Sequence, residues 1–229
     1  GHPTVGTAWF LAATGTASLE PDGGTVVLEE NVGPVPVRVD TKDGRPVRAA
    51  LTAAVLPEHR PVPWSRERLA AMVSLEPEAL GCGDLEPEMV SCGLPFVVVP
   101  VADVDAARRS RLDSGVWEEL TTGAWSRMVY VVTRGGEGEG IDLHVRMYAP
   151  SVGVPEDPAT GSAAAALGGY LGARTEGDGT WTWRVEQGLE IGRPSLLEVE
   201  ADVGEGAVTA VRVGGRCVTV SRGSMEVPT

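Results

Sequence analysis

A histidine and an aspartate occupy matching places in two similar stretches of this 229-residue sequence. The stretch HPTVGTAWFLA begins at His2, and the stretch DPATGSAAAAL begins at Asp157. Histidine titrates near neutral pH, and a carboxylate opposite it can trade protons with it through a bound molecule. If both stretches face one cleft, the pair forms an acid–base site that moves a proton next to a carbonyl or carboxylate, as in isomerisation, epimerisation or tautomerisation.

Small residues follow each of the two candidates. Proline is favoured at the first position of a helix, so the sequence predicts a helix that starts directly after Asp157 and uses it as the N-cap. No bulky side chain at Thr160, Gly161 or Ser162 covers the free N–H groups of the first turn, which can then hold a carboxylate. The same reasoning places His2 at the cap of a first helix. An aspartate before proline is also a common structural helix cap. The equivalent position of His2 in the other stretch is what favours a functional role for Asp157.

The two stretches belong to an internal repeat. Its aligned pairs are His2 with Asp157, Pro3 with Pro158, Gly6 with Gly161, Thr7 with Ser162 and Ala8 with Ala163. After each copy, the sequence predicts a helix of small residues, a turn and two strands. We therefore predict two similar domains, residues 1–62 and 63–229, with a boundary in the proline-rich PEHRPVPW. The second half carries a long segment ahead of its motif and the first half begins on its motif, so we expect the first domain to be incomplete.

The coarse pattern of the chain is mixed α/β. The apolar runs MVSCGLPFVVVPV and SRMVYVVTR are typical of buried strands, and the alternating IDLHVRMYAP predicts a strand that leads into the second motif. Ser65 is predicted to cap a helix, and TKDG is predicted to close a hairpin.

Composition excludes several function classes. The 32 acidic residues outnumber the 19 basic ones, which gives a formal charge of −13 and no basic cluster for nucleic acid. Three cysteines without CxxC spacing and three histidines show no usual metal-ligand pattern. The apolar runs are shorter than the roughly 20 residues of a membrane span. We expect a cytoplasmic protein without metal or cofactor, and neither nucleic acid nor membrane as a partner.

The other reactive side chains are weaker candidates. His144, next to Arg146 on an alternating strand, is expected to be packed or solvent-facing. His59 lies in the proline-rich boundary and is expected to be exposed. Cys92 sits in an apolar strand, where cysteine usually serves as a small hydrophobic residue.

Four blocks carry a resemblance to a known family. GHPTVGTA, VSCGLPFVVVPV, HVRMYAPSVGVPEDPATGSAAAALGGYL and EQGLEIGRPSLLEVE resemble successive blocks of the phenazine-biosynthesis PhzF-like family, within the diaminopimelate-epimerase-like superfamily. The resemblance covers nearly the whole chain. It implies two similar domains, each a β-barrel-like mixed sheet around a central helix, with the active site between them, and it implies a homodimer.

The same resemblance implies a reaction and roles for residues. The phenazine enzyme isomerises dihydro-hydroxyanthranilate without a cofactor. By motif, His2 and Asp157 match the family's active-site histidine and aspartate, while Gly1, Gly161 and Ser162 match the groups that hold the substrate carboxylate. The family's main proton-shuttling base is a glutamate in an upstream SET-like block, and this sequence has no such block. A separate N-terminal segment is therefore expected to complete the site.

Three functions follow as hypotheses. The first is a cofactor-independent isomerase that moves a proton in a small cyclic or amino-bearing carboxylic acid. The second is a binding protein for small acids that has lost the catalytic glutamate. The third is an epimerase of an amino acid or a hydroxyproline-like acid. A racemase with two thiols is disfavoured, because no cysteine is adjacent to either motif.

Overall fold

The structure is a computed structural model that describes residues 1–224. It contains five α-helices, at His2–Ala13 (α1), Arg66–Met72 (α2), Val104–Arg109 (α3), Ser114–Thr121 (α4) and Gly161–Gly172 (α5). Short 3₁₀ turns lie at Pro77–Ala79 and Pro150–Val152. The first six strands are Gly23–Glu30 (β1), Gly33–Lys42 (β2), Arg45–Thr52 (β3), Glu58–Pro61 (β4), Glu88–Ser91 (β5) and Pro95–Pro100 (β6). The last six are Val129–Arg134 (β7), Leu143–Ala149 (β8), Val154–Asp157 (β9), Gly179–Gln187 (β10), Ser195–Gly204 (β11) and Ala207–Gly215 (β12). Over the described residues, no helix is long and apolar enough to cross a membrane.

All twelve strands belong to one sheet, and the mixed α/β class is confirmed. The strand order is β1-β2-β3-β12-β11-β10-β8-β7-β6-β5-β4, and β9 pairs with β8 beside this path. Only the pairs β8–β10 and β6–β7 are parallel within the described part. The predicted hairpin is present between β2 and β3, where Asp43 and Gly44 have φ angles of 53° and 70°, as the tight turn of a two-residue hairpin requires.

The structure repeats itself along the chain. Helix α1 is followed by the antiparallel strands β1, β2 and β3, and α5 is followed by the antiparallel strands β10, β11 and β12. The two units join where β3 pairs with β12, with Ala50 opposite Gly214. A Cβ added at Gly214 would lie 2.6 Å from the Ala50 Cβ, so glycine permits this close junction. Strand β4 precedes the predicted boundary at residue 62 but pairs with β5, and the boundary stays a prediction.

Helix α5 forms the centre of the larger core. Its residues from Ala163 to Gly172 are all buried, and it packs against β11 and β12 on one side and β5 on another. A Cβ on Gly168 would lie 2.7 Å from Val199 Cγ1 and 2.9 Å from Val211 Cγ1. The small residues of α5 therefore let the helix approach the sheet closely, and packing explains the alanine run.

Candidate active site

The two repeated helices meet at their N-termini. A Cβ added at Gly161, the first residue of α5, would lie 3.4 Å from the Gly1 Cα, and one added at Gly1 would lie 3.4 Å from the backbone N of Ser162. The first N–H groups of a helix have no partner within the helix, and each N-terminus carries about half a positive charge. Two N-termini in contact therefore offer about one positive charge, which suits a carboxylate.

A cavity of about 380 Å³ opens beside this junction. Its lining includes Gly1, His2, Gly161, Pro194, Ser195 and Arg216. His2 is exposed there, as the first residue of α1. The site thus combines a titratable imidazole, helix N–H groups and a guanidinium in a space of the size that small ligands need.

A second cavity of about 300 Å³ lies next to the first and shares Gly1 and Gly161 with it. Ser162, Thr4 and Glu30 also line it. The Thr4 hydroxyl donates a 2.6 Å hydrogen bond to Glu30 Oε1. The structure therefore places His2 at the first cavity and Ser162 at the second, with the glycine pair between them.

The predicted helix caps are wrong in position. Helix α5 begins at Gly161 with Thr160 as its N-cap, and α1 begins at His2 with Gly1 as its N-cap. Asp157 instead ends strand β9, because it pairs with Met147 of β8 and because a residue before proline favours the extended conformation. Residues 158–160 form the connection between the strand and the helix.

Asp157 lines neither of the two cavities and is half-buried within a hydrogen-bond network. The Thr160 hydroxyl donates to Asp157 Oδ2, and Gln187 Nε2 donates to the Asp157 carbonyl at 2.7 Å and to Thr160 Oγ1 at 3.0 Å. The N–H and the hydroxyl of Thr160 are both engaged within the protein. The role of Thr160 in substrate binding stays a prediction, and so do the roles of the other predicted site residues.

The sequence reasoning did not identify Gln187 or Tyr130 as members of this network. Gln187 is fully buried at the end of β10, and the Tyr130 hydroxyl donates to its Oε1 at 3.4 Å. The QG pair in EQGLEIGRPS was a usable signal, because a glutamine inside an apolar strand must satisfy its amide within the protein.

A second buried polar cluster surrounds His144. This histidine is fully buried, as the packed alternative predicted, with Nδ1 2.7 Å from Glu186 Oε1 and Nε2 2.8 Å from Glu190 Oε1. Burial alone would lower the pKa of His144, but the two carboxylates outweigh it and hold the pKa above its ordinary value. Arg146 forms a two-point ion pair with Glu156 at 2.9 and 2.8 Å. The cluster anchors Glu190, in the loop that leads to the cavity wall.

Of the remaining candidates, His59 lies outside the two cavities, and Cys92 lines the second cavity but engages its thiol within the protein. His59 is half-buried rather than exposed, because its Nδ1 lies 3.3 Å from Glu88 Oε1 on the neighbouring strand. Cys92 directs its thiol to the Ala165 carbonyl at 3.4 Å, and burial raises the pKa of this thiol to about 12. Among residues 1–224, no three side chains of His, Cys, Asp or Glu are grouped so as to hold a metal ion.

Comparisons with known proteins found a matching family and several similar proteins. The family described as phenazine biosynthesis-like protein matches residues 1–223. An uncharacterized isomerase of Mesorhizobium japonicum is 39% identical over 233 residues, which cover 99% of this chain and 75% of that protein. The trans-2,3-dihydro-3-hydroxyanthranilate isomerase of Pseudomonas aeruginosa is 30% identical over 230 residues, which cover 97% of this chain and 73% of that protein.

The fold is shared with a solved structure as well. The crystal structure of the Bacillus anthracis phenazine biosynthesis protein of the PhzF family is similar with a TM-score of 0.81 at 22% identity, over 94% of this chain and 72% of that chain. The family match over residues 1–223 and the shared fold confirm the resemblance to the PhzF-like family. This chain therefore belongs to the phenazine biosynthesis-like, or PhzF, protein family, and the comparisons place it among isomerases.

Proposed function

We propose that the protein is a cofactor-independent isomerase that moves a proton within a small cyclic or amino-bearing carboxylic acid. One observation carries the proposal: the N-termini of α1 and α5 meet at Gly1 and Gly161, beside a cavity that His2 lines. The substrate carboxylate binds to the helix N–H groups, and the carbon skeleton occupies the cavity.

The reaction needs two proton transfers and no change in oxidation state. A C–H bond next to a C=C double bond breaks, and its electron pair forms a new double bond to the neighbouring carbon. The electron pair of the original double bond takes up a proton at its far carbon, so that the proton and the double bond have both moved. His2 lines the cavity together with Glu198 and Cys217. We assign one of the transfers to His2, because histidine is the side chain that most often serves as a general acid or base. Asp157 supplies the other, and we expect its carboxylate to reach the substrate once the site is filled, since hydrogen bonds of catalytic groups often tighten only on binding.

The relatives provide a first candidate substrate. Several of them are named trans-2,3-dihydro-3-hydroxyanthranilate isomerases, and this compound combines a ring, an amine and a carboxylate. A ring of this size is compatible with a cavity of about 380 Å³. The homodimer that the resemblance implies is part of the proposal, as is a further N-terminal segment that contributes to the site.

The test is conversion of this compound by protein that has been dialysed against a chelator. We expect turnover without added cofactor, and a loss of at least about 100-fold in kcat for His2→Asn and for Asp157→Asn, as removal of a general acid or base causes. His59→Asn is the matched control, because this histidine lies outside the cavities, and it should keep the wild-type rate.

Two outcomes would select the other functions. Tight binding of the acid without any turnover would favour a binding protein. Loss of optical rotation without a positional isomer would favour an epimerase. Full activity in both site variants would contradict the assignment of His2 and Asp157.

A further inference from the structure

We infer that Gln187 is a positioning residue that fixes the direction of the hydrogen bond from Thr160 to Asp157, and thereby holds the Asp157 carboxylate in one orientation for proton transfer. The inference rests on the proposed function, because it concerns the carboxylate to which that function assigns a proton. Nothing in the resemblance or in the relatives' names assigns a role to Gln187, Thr160 or Tyr130.

The amide of Gln187 can be oriented in only one way. Its Nε2 donates to the Asp157 carbonyl at 2.7 Å, and its Oε1 accepts from the Thr160 backbone N–H at 3.4 Å. If the amide were flipped, its oxygen would face a carbonyl and its nitrogen would face an N–H group. Both contacts would then be repulsive, so the two backbone groups settle the orientation.

This orientation determines where the hydroxyl hydrogen of Thr160 goes. The amide nitrogen of Gln187 has no lone pair to accept with, so at the 3.0 Å contact Thr160 Oγ1 must be the acceptor. The single hydrogen of the hydroxyl is then left for Asp157 Oδ2, which accepts it. One carboxylate oxygen is thereby held in place, and Oδ1 is the oxygen that Thr160 leaves for the substrate.

The hydrogen bond from Tyr130 to Gln187 also has only one possible direction. The Tyr130 ring and hydroxyl are fully buried, and burial, together with the charge of Asp157, raises the pKa of Tyr130 above its ordinary value. The phenol therefore stays protonated and donates to Gln187 Oε1. Gln187 itself has no exposed surface, so water does not compete for its hydrogen bonds.

Four variants separate positioning from simple stability. Thr160→Val removes the hydroxyl at nearly constant shape, Thr160→Ser keeps it, and Gln187→Glu replaces the amide donor by an acceptor. Thr133→Val is the matched control, since Thr133 is a fully buried threonine on β7 with no hydrogen bond to Asp157. The kcat and KM for the candidate substrate and the midpoint of thermal unfolding are measured for each variant.

We expect Thr160→Val and Gln187→Glu to lower kcat by about 10- to 100-fold, the worth of a hydrogen bond to a charged group, with KM changed less than about twofold. Thr160→Ser should restore kcat to near the wild-type value. Thr133→Val should keep the wild-type kcat, even where its unfolding midpoint falls as far as that of Thr160→Val or further. A wild-type kcat in Thr160→Val, or a fall in Thr133→Val as large as in Thr160→Val, would overturn the inference.

A second readout does not depend on turnover. The side-chain amide hydrogens of Gln187, identified by NMR from the signals that Gln187→Glu lacks, should exchange slowly with solvent. The amide hydrogen that Thr160 Oγ1 accepts should exchange faster in Thr160→Val, which lacks this acceptor. In Thr133→Val, both amide hydrogens should exchange as slowly as in the wild type. Absence of turnover in the wild type contradicts the proposed function alone, whereas fast exchange of both amide hydrogens in the wild type contradicts the positioning role.

Discussion

Replacement of His144 by leucine is expected to destabilise the fold strongly. The imidazole lies between two carboxylates, with nitrogen–oxygen distances of 2.7 Å to Glu186 and 2.8 Å to Glu190, and its side chain has no exposed surface. Leucine keeps most of the volume but leaves two buried carboxylates without their shared partner. Removing one member of a buried ion pair costs about 3–5 kcal/mol.

That free energy converts to a measurable shift in the unfolding midpoint. For chains of 150–250 residues, each 1 kcal/mol lowers Tm by about 2–4 °C, so His144→Leu should lower Tm by about 6–20 °C. Thermal unfolding followed by circular dichroism at pH 7, with urea unfolding for the free energy, measures both quantities.

His59→Leu is the matched control for this substitution. His59 is half-buried and faces Glu88, but Glu88 keeps a second partner in Arg174 at 2.8 Å. Its loss should therefore cost less than about 1 kcal/mol. If the two variants unfold within about 1 kcal/mol of each other, the reasoning about the buried cluster is refuted.

Three further predictions concern pH, packing and reactivity. The folded-state pKa of His144 lies above its unfolded value of about 6.5. The stabilisation from the charged imidazole is therefore complete below about pH 6.5 and is lost as the pH rises through the folded pKa. The urea midpoint of the wild type should fall over this pH range, and the midpoint of His144→Leu should not. Gly168→Ala should lower the free energy of unfolding by about 1–3 kcal/mol, because the added Cβ would lie 2.7 Å from Val199 Cγ1. Gly6→Ala in α1 should raise it by up to about 1 kcal/mol, because nothing lies within 4 Å of the added Cβ. Chemical denaturation measures both changes. The native Cys92 thiol, whose pKa burial raises to about 12, should resist alkylation at pH 8 and react only after unfolding, as mass spectrometry of labelled peptides will reveal.

The sequence was sufficient to predict those features that depend on local pattern. The match between the stretches at His2 and Asp157 predicted two equivalent helices, and the structure brings the starts of both together at Gly1 and Gly161. The TKDG hairpin and the small-residue packing of α5 followed from turn chemistry and residue size in the same way.

Contacts between residues that are far apart in the chain could not be predicted from the sequence. Asp157 belongs to β9 rather than to the helix because Met147, on another strand, pairs with it. Gln187 donates to the Asp157 carbonyl from β10, although it lies 30 residues further along the chain. The partners of His144 come likewise from β10 and the loop after it, and no local signal identifies them.

The most direct test of the central claim is isomerisation of trans-2,3-dihydro-3-hydroxyanthranilate in deuterated water, followed by proton NMR. In the proposed mechanism two different groups perform the two proton transfers, so the product formed by the wild-type protein should carry one deuterium at the carbon that receives the proton. Asp157→Asn should form product at least about 100-fold more slowly. Product without deuterium, or product formation at the wild-type rate by Asp157→Asn, would contradict the account.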